Sequence, residues 1–169
     1  MFSRIKILIA VILGLFLSTP VYAAVGTITQ TLTTVCVQNT DACYRVLTYT
    51  LTFGTGGDET SALSLATTSD ITARLKGWTL LLGSTYNGST APTDLFDITL
   101  KEGGVDILGT GGMNRPGTAS VSSQFRPMID TTYLSPGPRP IVNTLTLAAS
   151  NNAVESGNVT IKFFFFFAK

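Results

Sequence analysis

The chain has 169 residues, of which 44% are hydrophobic and only 12% charged, against about 25% charged in an ordinary soluble domain. Thr, Ser and Gly fill the polar positions, which suits sheets with a neutral outer face better than helices rich in Glu and Lys. The formal net charge of +1 gives no support to a basic groove for nucleic acid.

Residues 1–23 read as a secretory signal peptide. Arg4 and Lys6 supply the positive start, and Ile7 to Leu17 is an apolar core too short to span a bilayer comfortably. Pro20 ends that segment, and Val21-Tyr22-Ala23 offers small residues where a signal peptidase reads, so cleavage is expected before Ala24. Membrane contact is expected only transiently, through this leader. Residues 24–169 are expected to form one domain in the periplasm, outside the cell, or on a surface or virion.

Export makes the two cysteines informative. Cys36 and Cys43 flank a turn-forming stretch that contains Asn39-Thr40-Asp41, between two runs of extended character. A hairpin with its loop at Gln38 to Asp41 sets the cysteines opposite each other, within disulfide reach. Closing so short a loop contributes about 2–2.5 kcal/mol in the chain-entropy description. Two thiols without a histidine make a poor zinc site, which wants four ligands.

Alternation of period two then recurs along the chain. Leu47, Tyr49, Leu51 and Phe53 share one face of Cys43 to Phe53, and Phe96, Ile98 and Leu100 share one face of Leu95 to Lys101. Ile141, Leu145 and Leu147 do the same, as do Val159, Ile161, Phe163, Phe165 and Phe167. Leu75 to Gly83, with Trp78, is more continuously apolar and reads as a strand covered on both sides. The only helical candidate is Glu59 to Thr67, for which a short strand is an equal reading. Lys101 to Gly104 reads as a hairpin turn, Gly109 to Gly117 as a mobile Gly-rich loop, and Met128 to Pro140 as an extended, exposed connection. Together these predict an all-β fold: a single-domain antiparallel β-sandwich, jelly-roll or Ig-like, of seven to eight strands.

The sequence has no histidine, which removes the commonest general base and metal ligand. No nucleophile motif or phosphate-binding loop is present, so no catalytic residues, no enzyme activity and no cofactor are expected. Asp94, Asp97 and Asp106 are the only metal candidates, for calcium, with turn and surface roles as the alternative. Asn87-Gly88-Ser89 and Asn158-Val159-Thr160 match the glycosylation triplet. Phe163 to Phe167 is the least ordinary feature. With one set of these rings in the core, Phe164 and Phe166 are either covered by the same domain or form an interface.

The stretch Thr90-Ala91-Pro92-Thr93-Asp94-Leu95-Phe96-Asp97-Ile98-Thr99-Leu100, then Gly104-Val105-Asp106-Ile107-Leu108-Gly109, then Asn114-Arg115, resembles small proteins from tailed-phage structural gene regions. Their pattern is roughly TAPTDxYDITL, then G-D-V-L, then NR. The likeness is strong from Thr90 to Asp106 and extends more loosely over Ile28 to Ile161. It implies a β-rich, virion-associated protein without enzymatic activity. Those proteins generally lack a leader, the cysteine pair and the Phe run. The expected function is therefore a non-enzymatic structural protein, exported and phage-virion-related, working with protein partners or itself through sheet edges or an apolar face. The alternative is a secreted cell-surface or glycan-binding module with Tyr86 as a stacking residue, or a pilin-like subunit.

Overall fold

The computed structural model describes residues 26–36, 43–54, 63–130 and 135–167. The expected leader, the turn between the cysteines, and residues 59–62 of the helical candidate lie outside them.

Alternating threonines and aliphatics favour extended chain, and the first two strands form a hairpin. Strand β1 (Thr27–Cys36) runs antiparallel to β2 (Cys43–Thr52), with Thr27 opposite Thr52 and Cys36 opposite Cys43. The cysteines are joined as a disulfide, with their Cα atoms 4.1 Å apart. Strand β3 (Leu63–Ala66) follows, then a short helix, α1 (Ser69–Leu75). Of the two readings of Glu59 to Thr67, the strand is the one found in its described part. Residues 63–66 are strand, and the helix begins at Ser69. Thr68 caps it, its hydroxyl accepting from the Ile71 amide at 3.3 Å, and Ile71 and Leu75 bury one stripe.

Strand β4 (Thr79–Asn87) also departs from expectation. Leu75 closes the helix and Gly77 turns the chain at φ +80°, so the strand starts later than its apolar run. Strand β5 (Asp97–Glu102) and β6 (Val105–Asp106) form the expected hairpin. Gly103 and Gly104 occupy its two-residue turn, both with positive φ, as a type I′ turn requires. Beyond it lie a 3₁₀ turn (Gly109–Gly112), β7 (Ser122–Phe125), β8 (Met128–Asp130), β9 (Ser135–Pro136), β10 (Arg139–Pro140), β11 (Leu145–Ser150) and β12 (Asn158–Phe166). Among the described residues there are twelve strands, rather than seven or eight. The surplus consists of short segments that pattern reading cannot see.

All pairings are antiparallel. One sheet has the order β1-β2-β12-β4-β10, with β7 also paired to β4; the other has the order β3-β11-β5-β6, and β8 pairs with β9. A single hydrophobic cluster draws on both larger sheets: Leu47, Tyr49, Leu51, Ile161, Phe163 and Phe165 from one, Ile98, Leu100, Leu145 and Leu147 from the other. The all-β expectation holds, and period-two alternation is what builds this shared core. Phe163 meets Tyr49 and Phe125 edge to face, with ring centroids 6.2 and 6.0 Å apart. Burial pushes the Tyr49 phenol well above the usual range.

The Gly-rich segment is not the mobile loop expected from composition. Gly109–Gly112 forms a 3₁₀ turn, and Gly112 is buried where a Cβ would lie 2.0 Å from the Ile98 carbonyl oxygen. The described parts of Met128 to Pro140, residues 128–130 and 135–140, carry short strands, as an extended connection would, but are only partly exposed; residues 131–134 lie outside the described residues. Met128 and Gly137 are buried, and Arg139 is ion-paired.

Candidate functional site

The register of the larger sheet sorts its outer face into rows. One row runs Thr33–Val46–Phe164–Leu82 across β1, β2, β12 and β4, and the next runs Val35–Tyr44–Phe166–Thr79. The rows on the other side are polar: Thr31–Thr48–Lys162–Ser84, then Thr29–Thr50–Thr160–Tyr86. The outer face is therefore split, with threonine-rich rows at one end and an apolar band crossing four strands at the other.

The Phe run explains half of this band. Phe163 and Phe165 are fully buried, whereas Phe164 and Phe166 point outward and are half-buried. Their neighbours Val35 and Tyr44 are exposed. Phe167 was expected on the core face. It lies past the strand end and is 52% exposed, its ring 5.6 Å from Trp78. The Arg45 guanidinium sits 4.0 Å over the Trp78 ring, and its Nη1 donates to the Arg74 carbonyl oxygen. Burial first, and the Arg74 charge second, hold that guanidinium below its usual pKa.

Strand β4 carries a bulge opposite Phe164/Phe165, and Leu81 is the residue left without a partner on β12. This overturns the expectation that Leu75 to Gly83 is covered on both sides: Leu81 is exposed and Leu82 half-buried. On the free side of β4, β10 pairs at Thr79 and Leu80 while β7 pairs from Gly83 to Tyr86. The gap between them is a depression of about 530 Å³, lined by Leu81, Leu82, Phe125, Arg126, Gly137 and Pro138 among others. It joins the apolar band at Leu82.

The three aspartates each organise backbone. Asp94 Oδ1 accepts from the Gly117 amide at 2.9 Å, and Asp97 Oδ1 from the Asn114 amide at 2.8 Å. Asp97 Oδ2 also accepts from the Asn151 side-chain amide. Asp106 Oδ1 accepts from the Leu100 and Leu108 amides at 3.3 and 3.1 Å. Among the described residues, no group of three or more His, Cys, Asp or Glu side chains could hold a metal ion. All three carboxylates hold backbone amides in the described turns. Arg115 belongs to the same scaffold, its backbone exchanging hydrogen bonds with Phe96 and Leu95 at 2.7 and 2.9 Å. The residues that carry the sequence resemblance thus brace loops against β5.

Tyr86 is the candidate stacking residue of the glycan-binding alternative. It stands on β4, 51% exposed, between Thr160 and Ser122 on the polar rows. Asn87 is a poor glycosylation acceptor, because its side chain is buried and its Nδ2 donates to the Pro116 and Thr118 carbonyls at 2.6 and 3.0 Å. Asn158 is half-buried, its side-chain amide packed against Gly88.

Glu102 falls within the expected Lys101 to Gly104 turn. It is a buried carboxylate that gathers the Arg139 Nε at 3.2 Å and the Val142 and Asn143 amides at 2.7 and 3.1 Å. Its donors come from chain some forty residues on, so nothing local in the sequence signals it.

No helix among the described residues is long and apolar enough to cross a membrane. No protein-family model matches the chain, and no curated protein matches it. Among solved structures, a chain described as the cyanophage Pam1 capsid asymmetric unit is similar. The match covers 90% of this chain and 93% of that one, at 15% sequence identity and a TM-score of 0.39.

Proposed function

We propose that this chain is a non-enzymatic structural protein that assembles with further copies through the outer face of its larger sheet. The observation that carries the reading is the apolar band of Val35, Tyr44, Val46, Phe164, Phe166 and Leu82, contiguous across four strands and segregated from the threonine rows. Removing such a band from water contributes about 25 cal/mol per Å² of apolar area. A band of this kind on a neutral face is the usual mark of a protein contact. Residues 24–169 act as one exported domain after the leader is removed, and the disulfide suits an oxidising compartment. The phage-virion origin rests on the sequence resemblance at Thr90 to Asp106. With no histidine in the chain and the candidate carboxylates engaged by backbone amides, no catalytic assembly is proposed.

The double substitution Phe164→Ser with Phe166→Ser tests the reading. Both side chains face outward, so circular dichroism is expected to stay unchanged while sedimentation shows a smaller assembly than wild type forms. An assembly as large as that of wild type, or outright unfolding, counts against an interface here.

A further inference from the structure

Among the described residues, strand β1 closes one edge of the larger sheet, paired only with β2, and the direction of its remaining main-chain groups can be read. In an antiparallel pair the non-hydrogen-bonded partners have Cα atoms about 4.5 Å apart, against about 5.5 Å for hydrogen-bonded ones. The 4.1 Å between Cys36 and Cys43 makes theirs a non-hydrogen-bonded pair. The Phe53 amide donates to the Gly157 carbonyl at 2.8 Å, so odd residues of β2 bond toward β12 and even ones toward β1. Both observations give one result. Thr27, Thr29, Thr31, Thr33 and Val35 bond to β2, and the N–H and C=O groups of Ile28, Gln30, Leu32, Thr34 and Cys36 point to the open edge.

That edge lacks the usual protection. Its sequence, TITQTLTTVC, has ten residues with no charge and no proline, where edge strands normally carry lysine, proline, a bulge or few residues. The other edges are guarded. Strand β10 is Arg139–Pro140, β6 has two residues, and β3 and β7 have four each. The core is also incompletely closed along this side, where Ile28, Leu32 and Leu65 pack on it only partly buried.

We infer that β1 docks the β1 of a second copy of this chain, antiparallel across a two-fold axis, so that one sheet continues through both molecules. An uncharged strand meets its own copy without repulsion, and an isologous contact needs only self-complementarity. The inner face of one copy must continue the inner face of the other, which restricts the register. Placing Leu32 on the axis sets Gln30 against Thr34 and Ile28 against Cys36 of the second copy. This register engages every outward main-chain group of the strand, and it sets Thr31 against Thr33 on the outer face. The inference goes beyond the outer-face reading and does not depend on it.

The test uses the full chain carrying Phe164→Ser and Phe166→Ser, which silences the outer face. Sedimentation equilibrium is expected to show a dimer. Amide exchange is expected to slow on dimerisation at Ile28, Gln30, Leu32, Thr34 and Cys36, while the odd-numbered amides, already bonded to β2, change little. Thr34→Pro removes an outward donor and no bond to β2. The separate pair Thr31→Lys with Thr33→Lys sets like charges opposite each other across the axis. Each is expected to weaken dimerisation at least about tenfold with unchanged circular dichroism. A monomer at all concentrations, variants that dimerise like the parent, or protection without the alternation would each overturn the inference.

Discussion

Replacing Glu102 with alanine is expected to lower the unfolding free energy by about 3 kcal/mol. The carboxylate is 5% exposed and binds three donors, one of them the Arg139 guanidinium. Removing it strands a charge that is itself largely buried, together with two amides of the segment leading into β11. Arg139 keeps some contact with water and donates to the Met128 and Ile129 carbonyls at 3.4 and 3.3 Å, which holds the cost near the lower end for a broken buried pair. Glu102→Gln retains an acceptor for the amides and is expected to cost less than half as much. Urea denaturation checks both. The midpoint should fall with the slope unchanged, and equal midpoints for Glu102→Ala and wild type would show that the carboxylate does not pin this segment.

Gly112→Ala is expected to destabilise by about 2–3 kcal/mol, although it adds a single methyl group. That methyl would lie 2.0 Å from the Ile98 carbonyl oxygen and 3.2 Å from the Leu108 Cβ. The nearest atom is backbone of β5, which is held by its pairing with β11, so relief requires moving a core strand. Gly111→Ala is the control. Its nearest neighbour is the Arg126 carbonyl at 3.1 Å, and a smaller effect is expected. A thermal melt of the two variants decides the matter. Equal, small shifts would restore the mobile-loop reading of this segment.

These two residues mark where sequence reasoning stops. The alternation in Cys43 to Phe53 and Asn158 to Phe167 gave the sheet class and most of the core, because a strand writes its buried face into every second residue. The Cys36/Cys43 hairpin and the Gly103-Gly104 turn were legible for a similar reason, since their chemistry is local. Helix α1 was missed because seven residues capped by Thr68 are too few to show a helical period. Glu102 and Gly112 are set by partners distant in sequence, and no local pattern reports them. The outward direction of Phe164 and Phe166 could be counted from the run itself. Their company on the surface could not. Val46, Tyr44 and Leu82 join them only through the register of three strands, and the bulge at Leu81 shifts the last of these.

The most direct measurement is sedimentation velocity of the full wild-type chain over a wide concentration range, with and without ammonium sulfate. Association through apolar surface should grow with concentration and strengthen with sulfate, which favours burial of such surface. A single monomeric boundary at every concentration, with and without the salt, would contradict the proposed assembly role.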